Sequence, residues 1–163
     1  MKNLKEKIKK KISNFFDWVK GAELIELHSE NNKLMPFLHL PVQSGSDQIL
    51  KKMNRKYSSY DYRKIIEKLK KYNPNIEISS DFIIGYPGET EKDFDETLKL
   101  VEEIKFTQSY SFIYSERPGT KSASEEDEIS SKVKKERLSV LQEKLKDIQL
   151  EYNKSFYDKS VKV

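Results

Sequence analysis

Apolar residues in this chain fall into alternating short and long runs. "FLHLPV" is a brief apolar stretch and reads as a strand; "SDQILKKM" directly after it reads as a helix. Tyr62, Ile65, Ile66, Leu69 and Tyr72 then recur at helical spacing, and Pro74 ends that helix. "IEISSDFIIG" is a second strand. Alternation places Glu77, Ser79, Asp81 and Ile83 on one of its faces, and Ile76, Ile78, Ser80, Phe82 and Ile84 on the other. Thr90 caps the next helix with Asp93 at the acidic position of a capping box, and Phe94, Leu98, Val101 and Ile104 form the expected inner stripe. "SYSFIYS" is a third strand, with Tyr110, Phe112 and Tyr114 on one face and Ser109, Ser111, Ile113 and Ser115 on the other. The polar segment "KSASEEDEISS" leads to a last, long helix in which Leu138, Leu141, Leu145, Ile148 and Tyr152 recur. Such spacing suits a coiled-coil seam, but packing on a sheet is the favoured reading for a run this short.

Strands alternating with helices of this length imply an α/β fold with a parallel sheet of βα units. Three such units are visible, and a closed eight-stranded barrel needs about 250 residues against the 163 here. The expectation is an open sheet or an incomplete, TIM-like barrel with a long C-terminal helix. A partial barrel leaves a strand edge and part of a sheet face uncovered, so the chain should self-associate unless residues 1–33 fold over that surface.

Composition narrows the chemistry. Charged residues make up 36% of the chain and the net charge is +4. That balance is compatible with a nucleic-acid partner, although charge alone favours a lysine-rich solvated surface. Six lysines crowd residues 2–11 beside Leu4, Ile8 and Ile12, where a surface helix is favoured over one that lies on a membrane or on RNA. No run of about 18 apolar residues is present and no secretory core follows the basic start, so a cytoplasmic protein without a membrane span is expected. There is no cysteine, hence no disulfide and no thiolate ligand for a metal or cluster within these residues. The two histidines are too few for a metal centre of their own, and His39, inside an apolar strand, reads as a satisfied core residue.

The turns "PVQSGS", "GYPGET" and "SERPGT" each follow a strand. In parallel α/β folds the C-terminal strand ends carry the site, so these three turns should gather on one side. "GYPGET" opens a helix and suits either close ligand approach or simply a tight turn; it lacks the Lys-Ser/Thr of a P-loop. Asp81 in a buried strand needs a partner, which a ligand or a neighbouring loop could provide. Arg117 suits a carboxylate or phosphate, or a rim salt bridge with neighbours. No nucleophile–histidine–acid set emerges, and catalytic residues stay unassigned.

"HLPVQSGSDQILKKMNRKY", "ISSDFIIGYPGET", "DFDETLKLV" and "YSFIYSERPGT" closely resemble, in order and spacing, the MiaB-type tRNA methylthiotransferases of the radical S-adenosylmethionine (SAM) class. The resemblance spans residues 34 onward, and the "LPVQSGS" and "ISSDF" wording is nearer the tRNA branch than the ribosomal-protein branch. It implies a partial radical SAM barrel over residues 34–158, with 159–163 as the opening of an RNA-holding TRAM domain and 1–33 as a separate basic segment. It further implies addition of a methylthio group to C2 of isopentenyladenosine beside the anticodon, with SAM and two [4Fe–4S] clusters as cofactors and tRNA as partner. By motif position, Gln43, Ser44, Gly45, Asp81, Ile83, Ile84, Gly85 and Arg117 are the implied SAM-binding residues. The family's Cys-x-x-x-Cys-x-x-Cys motif is missing. The expected chain is therefore a fragment that is inactive alone. The alternatives are half of a split enzyme whose partner chain supplies the cysteines, or a non-catalytic RNA-binding or scaffold module.

Overall fold

A computed structural model describes residues 35–116 and 129–158. The elements run β1 (Phe37–His39), α1 (Asp47–Lys52), α2 (Ser59–Tyr72), β2 (Glu77–Ile84), α3 (Glu91–Ile104), β3 (Gln108–Ile113) and α4 (Ser131–Lys154). These residues divide into two compact units. One contains residues 60–76 and is essentially α2. It buries Tyr62, Ile65, Ile66 and Leu69, the stripe expected from spacing, whereas Tyr72 is exposed. After it, Asn73 turns the chain: its side chain accepts from the Asn75 N–H and its carbonyl from the Ile76 N–H.

The second unit holds the sheet. All three strands are parallel in the order β1-β2-β3, as strand–helix alternation implies. The register sets Phe37 beside Glu77, His39 beside Ser79, Asp81 beside Tyr110 and Ile83 beside Phe112. Because side chains alternate across a strand, this register sorts them into two faces. Ile78, Ser80, Phe82 and Ile84 are buried on one. Leu100, Val101, Ile104, Phe106, Leu141 and Leu145 complete that core, with Phe106 meeting Phe82 edge-on at 5.4 Å. The long helix α4 lies against β3, β2 and α3, so sheet packing is its role. Only Leu141 and Leu145 of its apolar series are fully buried; Leu138, Ile148 and Tyr152 are half-buried.

Helix α3 begins at the capping box expected from sequence, with Thr90 and Asp93 bonded reciprocally. Its buried stripe, however, is Phe94, Thr97, Leu100, Val101 and Ile104, and Leu98 is only half-buried. Thr97 holds the inward position because its hydroxyl accepts from the Gly45 N–H at 2.9 Å and donates to the Asp93 carbonyl at 3.2 Å.

Strand β1 is shorter than "FLHLPV" suggests, and Pro41 explains it. Proline has no N–H to give to a ladder. Ser80 takes over on the neighbouring strand: its hydroxyl donates to the Leu40 carbonyl and accepts from the Val42 N–H, both at 2.9 Å. Pairing resumes at Gln43, whose N–H reaches the Asp81 carbonyl and whose carbonyl accepts from the Ile83 N–H, each at 2.9 Å. Ser80 therefore satisfies two backbone groups in a region where Leu40 and Val42 are fully buried. Ser80→Ala is expected to lower stability by about 1–3 kcal/mol, the cost of orphaning buried polar groups, read as a shifted urea midpoint. An unchanged midpoint would show that the Leu40 carbonyl and Val42 N–H are satisfied without the hydroxyl.

Candidate functional site

The turn after β1 is fixed from three directions. Gln43 has φ of 73°, an uncommon left-handed conformation for a non-glycine residue, and its backbone pairing to β2 holds it there. Tyr57 donates its hydroxyl to the Pro41 and Val42 carbonyls at 3.3 and 3.2 Å. Gly45 presses on α3: a Cβ at this position would lie 2.6 Å from the Thr97 Cα and would overlap the Glu96 carbonyl as well. Only glycine permits that approach.

Ser46 and Asp93 complete the joint. Ser46 is the N-cap of α1, accepting from the Ile49 N–H, while its hydroxyl donates to Asp93 Oδ1 at 2.5 Å. The other oxygen, Oδ2, accepts from the Thr90 N–H and hydroxyl at 2.9 and 2.6 Å. A single carboxylate thus anchors the first turns of two helices. Burial alone would push the Asp93 carboxyl up, but hydrogen bonds from Ser46 and Thr90, with Lys52 nearby, hold it below the usual aspartate value.

The second strand-end turn is "GYPGE". Gly85 and Gly88 have φ of 70° and 72°, so both glycines are there for backbone conformation. Glu89 is buried; Oε2 accepts from the Gly85 N–H and from Arg137, both at 2.9 Å, and Arg137 also donates to the Glu89 carbonyl at 3.0 Å. Oε1 is buried with no hydrogen-bond partner among the described residues. Burial pushes the Glu89 carboxyl up, against the pull of the Gly85 N–H and Arg137. The space where a Gly85 side chain would go is filled by the aliphatic stem of Lys134. Helix α1 spans the two turns, because Lys52 Nζ donates to the Pro87 carbonyl at 3.2 Å and the Tyr86 hydroxyl to the Lys52 carbonyl at 3.2 Å.

Among the described residues, no helix covers the other face of the sheet, on which His39, Tyr110 and Phe112 are exposed although Ser79 is buried. His39 is not a core residue: its side chain is 41% exposed, since its register position beside Ser79 puts it on this face. Its Nδ1 lies 2.6 Å from the Ser79 hydroxyl and its Nε2 lies 3.5 Å from Asp81 Oδ2. Asp81 therefore has a neighbouring side-chain partner, and its carboxylate is still partly exposed. Ile83 is half-buried on the same face, next to the exposed Phe112 of β3.

The residues named from sequence thus separate. Asp81 and Ile83 reach the open face. Gln43 is 8% exposed, and no described side chain bonds its amide. Ser44 and Gly45 are buried and engaged with Thr97, and Ile84 is fully buried in the core. Gly85 serves the Glu89 turn, and Arg117 lies outside the described residues. Sequence reading missed Tyr57, Thr97, Glu89 and Arg137, which hold the turns in place. Asp93 was visible as a cap; nothing local revealed its second partner, 47 positions away.

The donor set discriminates between cofactors. A thiolate-ligated cluster does not fit these 163 residues, which include no cysteine. The sugar and base of a nucleoside cofactor do fit: Asp81 presents a carboxylate acceptor beside the apolar Ile83.

Asp93 gives the joint a defined acid dependence. A carboxyl whose folded pKa is depressed contributes stability above its unfolded value and loses it as pH falls through the folded one. Asp93→Asn is expected to lower the urea midpoint at pH 7, while parent and variant converge as pH drops below about 4, the ordinary aspartate range. A gap that persists at pH 2–3 would contradict this. Gly45→Ala is expected to cost about 1–3 kcal/mol or more in the same measurement, because the contact it violates is with backbone.

Known proteins carry the same pattern. A profile of the radical SAM superfamily matches residues 5–101, taking in most of the segment set apart at 1–33. The tRNA-2-methylthio-N(6)-dimethylallyladenosine synthase of Wolbachia pipientis subsp. Culex pipiens (strain wPip) is 56% identical over 137 residues, covering 84% of this chain and 31% of that protein. Proteins of the same name from Ehrlichia canis (strain Jake) and Rickettsia canadensis (strain McKiel) are 56% and 53% identical over 132 and 141 residues. They are covered to 81% and 86% of this chain and to 30% and 32% of their own length. The chain therefore spans about a third of these relatives. Among the described residues, no helix is long and apolar enough to cross a membrane. With a parallel βα sheet, two glycine-bearing strand-end turns and a profile match over more than half its length, the chain belongs to the radical SAM superfamily.

Proposed function

We propose that this chain is the SAM- and substrate-facing part of a tRNA methylthiotransferase, and that the cluster thiolates come from outside these 163 residues. The observation that carries the reading is identity above 50% across more than four-fifths of the chain to proteins named as tRNA-2-methylthio-N(6)-dimethylallyladenosine synthases. The open face supports it: Asp81 and Ile83 stand where a nucleoside could lie, and the turns above them are rigidly braced.

In this reading Asp81, steadied by His39 and Ser79, accepts a hydrogen bond from a hydroxyl or the ammonium of SAM, and Ile83 covers part of the adenine. Gln43 offers its amide from the neighbouring turn. Ser44, Gly45 and Ile84 act indirectly, by fixing the strand ends, and Gly85 does so by shaping its turn. Arg117 is retained as an anion-binding candidate. Bound SAM would supply the methyl group; the residues here orient it. A tRNA substrate would place the work in the cytoplasm. The cluster cysteines would belong either to the rest of a longer protein or to a partner chain; a scaffold role without chemistry is the reading to exclude.

Two measurements test this. By equilibrium dialysis the chain should bind SAM, and Asp81→Ala should weaken binding about tenfold or more, the worth of a charge-assisted hydrogen bond. With SAM, reductant and an anticodon stem-loop carrying isopentenyladenosine, the chain alone should give no methylthio product. Product should appear when a chain bearing Cys-x-x-x-Cys-x-x-Cys is co-purified with it. Turnover by the chain alone would overturn the division of labour, and absence of SAM binding would favour the scaffold.

A further inference from the structure

His39, Ser79 and Asp81 form a chain of polar groups across β1 and β2. His39 lies beside Ser79 in the register and Asp81 follows two positions on, so all three side chains share one face. The His39 Nδ1 is 2.6 Å from the Ser79 hydroxyl, and its Nε2 is 3.5 Å from Asp81 Oδ2. Ser79 is buried, whereas His39 and Asp81 reach water. The ring is fixed at its inner nitrogen, and its outer nitrogen is aimed at the carboxylate.

Hydrogen-bond chemistry decides which nitrogen carries the proton in the neutral ring. If Nδ1 donated to Ser79, a bare lone pair on Nε2 would face the Asp81 carboxylate. With the Ser79 hydroxyl donating to Nδ1, the proton is on Nε2 and points toward Asp81. This neutral ring orients the carboxylate without cancelling its charge. A protonated ring does cancel it, because Asp81 then has an ion-pair partner at 3.5 Å.

The surrounding charges leave this pair to itself. Among the described residues β2 is the one strand paired with β1, and its ionisable side chains on this face are Glu77 and Asp81. Glu77 lies beside Phe37 and accepts from the Tyr152 hydroxyl. On its other side Asp81 is flanked by Tyr110 of β3. SAM carries a sulfonium and an ammonium, so it gains more from a bare carboxylate than from a neutralised pair.

We propose that His39 is a positioning residue that makes SAM affinity depend on pH: the neutral ring presents Asp81 to the cation, and the protonated ring withdraws it. The inference rests on the SAM reading above and deepens it by naming how that site is regulated.

Imidazole side chains as a class change charge between about pH 5 and 8. Equilibrium dialysis of the whole chain against SAM at the two ends of that range should give about fivefold weaker binding at the acid end, the upper limit of what a partly exposed ion pair is worth. His39→Gln keeps an N–H for Asp81 but takes up no proton, and should lose most of that difference while retaining the affinity of the alkaline end. By linkage, SAM binding between those limits should release protons from the parent and not from His39→Gln, read by calorimetry in buffers of different ionisation enthalpy. A purely structural role predicts neither result. Circular dichroism matching the parent at each pH would show that the variant is folded. Equal affinity of the parent at both ends, or a difference that survives His39→Gln, would overturn the proposal and leave the SAM reading in place. Absence of SAM binding at both pH values would overturn the two together.

Discussion

A carboxylate buried at the junction of two helices sets the geometry on which the strand ends depend. Asp93 receives Ser46 on one oxygen and Thr90 on the other, so the starts of α1 and α3 share one acceptor. Thr97, one helical turn later, takes the Gly45 N–H and fixes the turn between β1 and α1. Lys52 and Tyr86 then tie the end of α1 to the turn after β2. Each link satisfies a polar group that burial would otherwise penalise.

Glu89 obeys the opposite electrostatic logic. Asp93 gains enough hydrogen bonds to favour its charged form, whereas burial dominates at Glu89 and Arg137 compensates only in part. A carboxyl with a raised folded pKa contributes its stabilising share below the ordinary glutamate range and loses it as pH rises through the folded value. The two turns therefore respond to acid in opposite senses, although the carboxylates are only four positions apart. The sheet is divided just as sharply. One face buries Ile78, Phe82 and Ile84 under helices, and the other keeps His39, Asp81, Tyr110 and Phe112 accessible.

The strands and helices were legible because their apolar spacing is regular, and the Thr90–Asp93 cap because its signature is local. What sequence could not show was pairing at a distance. Ser80 looked like one more small residue on the covered face, yet it closes a gap left by Pro41 39 positions earlier. Leu98 was assigned inward on hydrophobicity, but a hydroxyl was needed one position before it, and Thr97 turned the stripe. His39 was misread as core because apolar neighbours flank it; a parallel strand can present its alternate residues to an open face. Among the SAM candidates, the motif wording does not distinguish the side chains that brace the turns from those that face outward.

The missing Cβ of Gly45 has a consequence for engineering. The turn "PVQSGS" is shaped by the backbone of α3 pressed against it, so its conformation is stored in two separate stretches of chain. Grafting the loop into another α/β scaffold would transfer only half of the instructions. The transferable unit is discontinuous: residues 41–46 together with 90–97, carried at fixed spacing. Loop libraries confined to the first stretch would be sampling around a mould they had left behind.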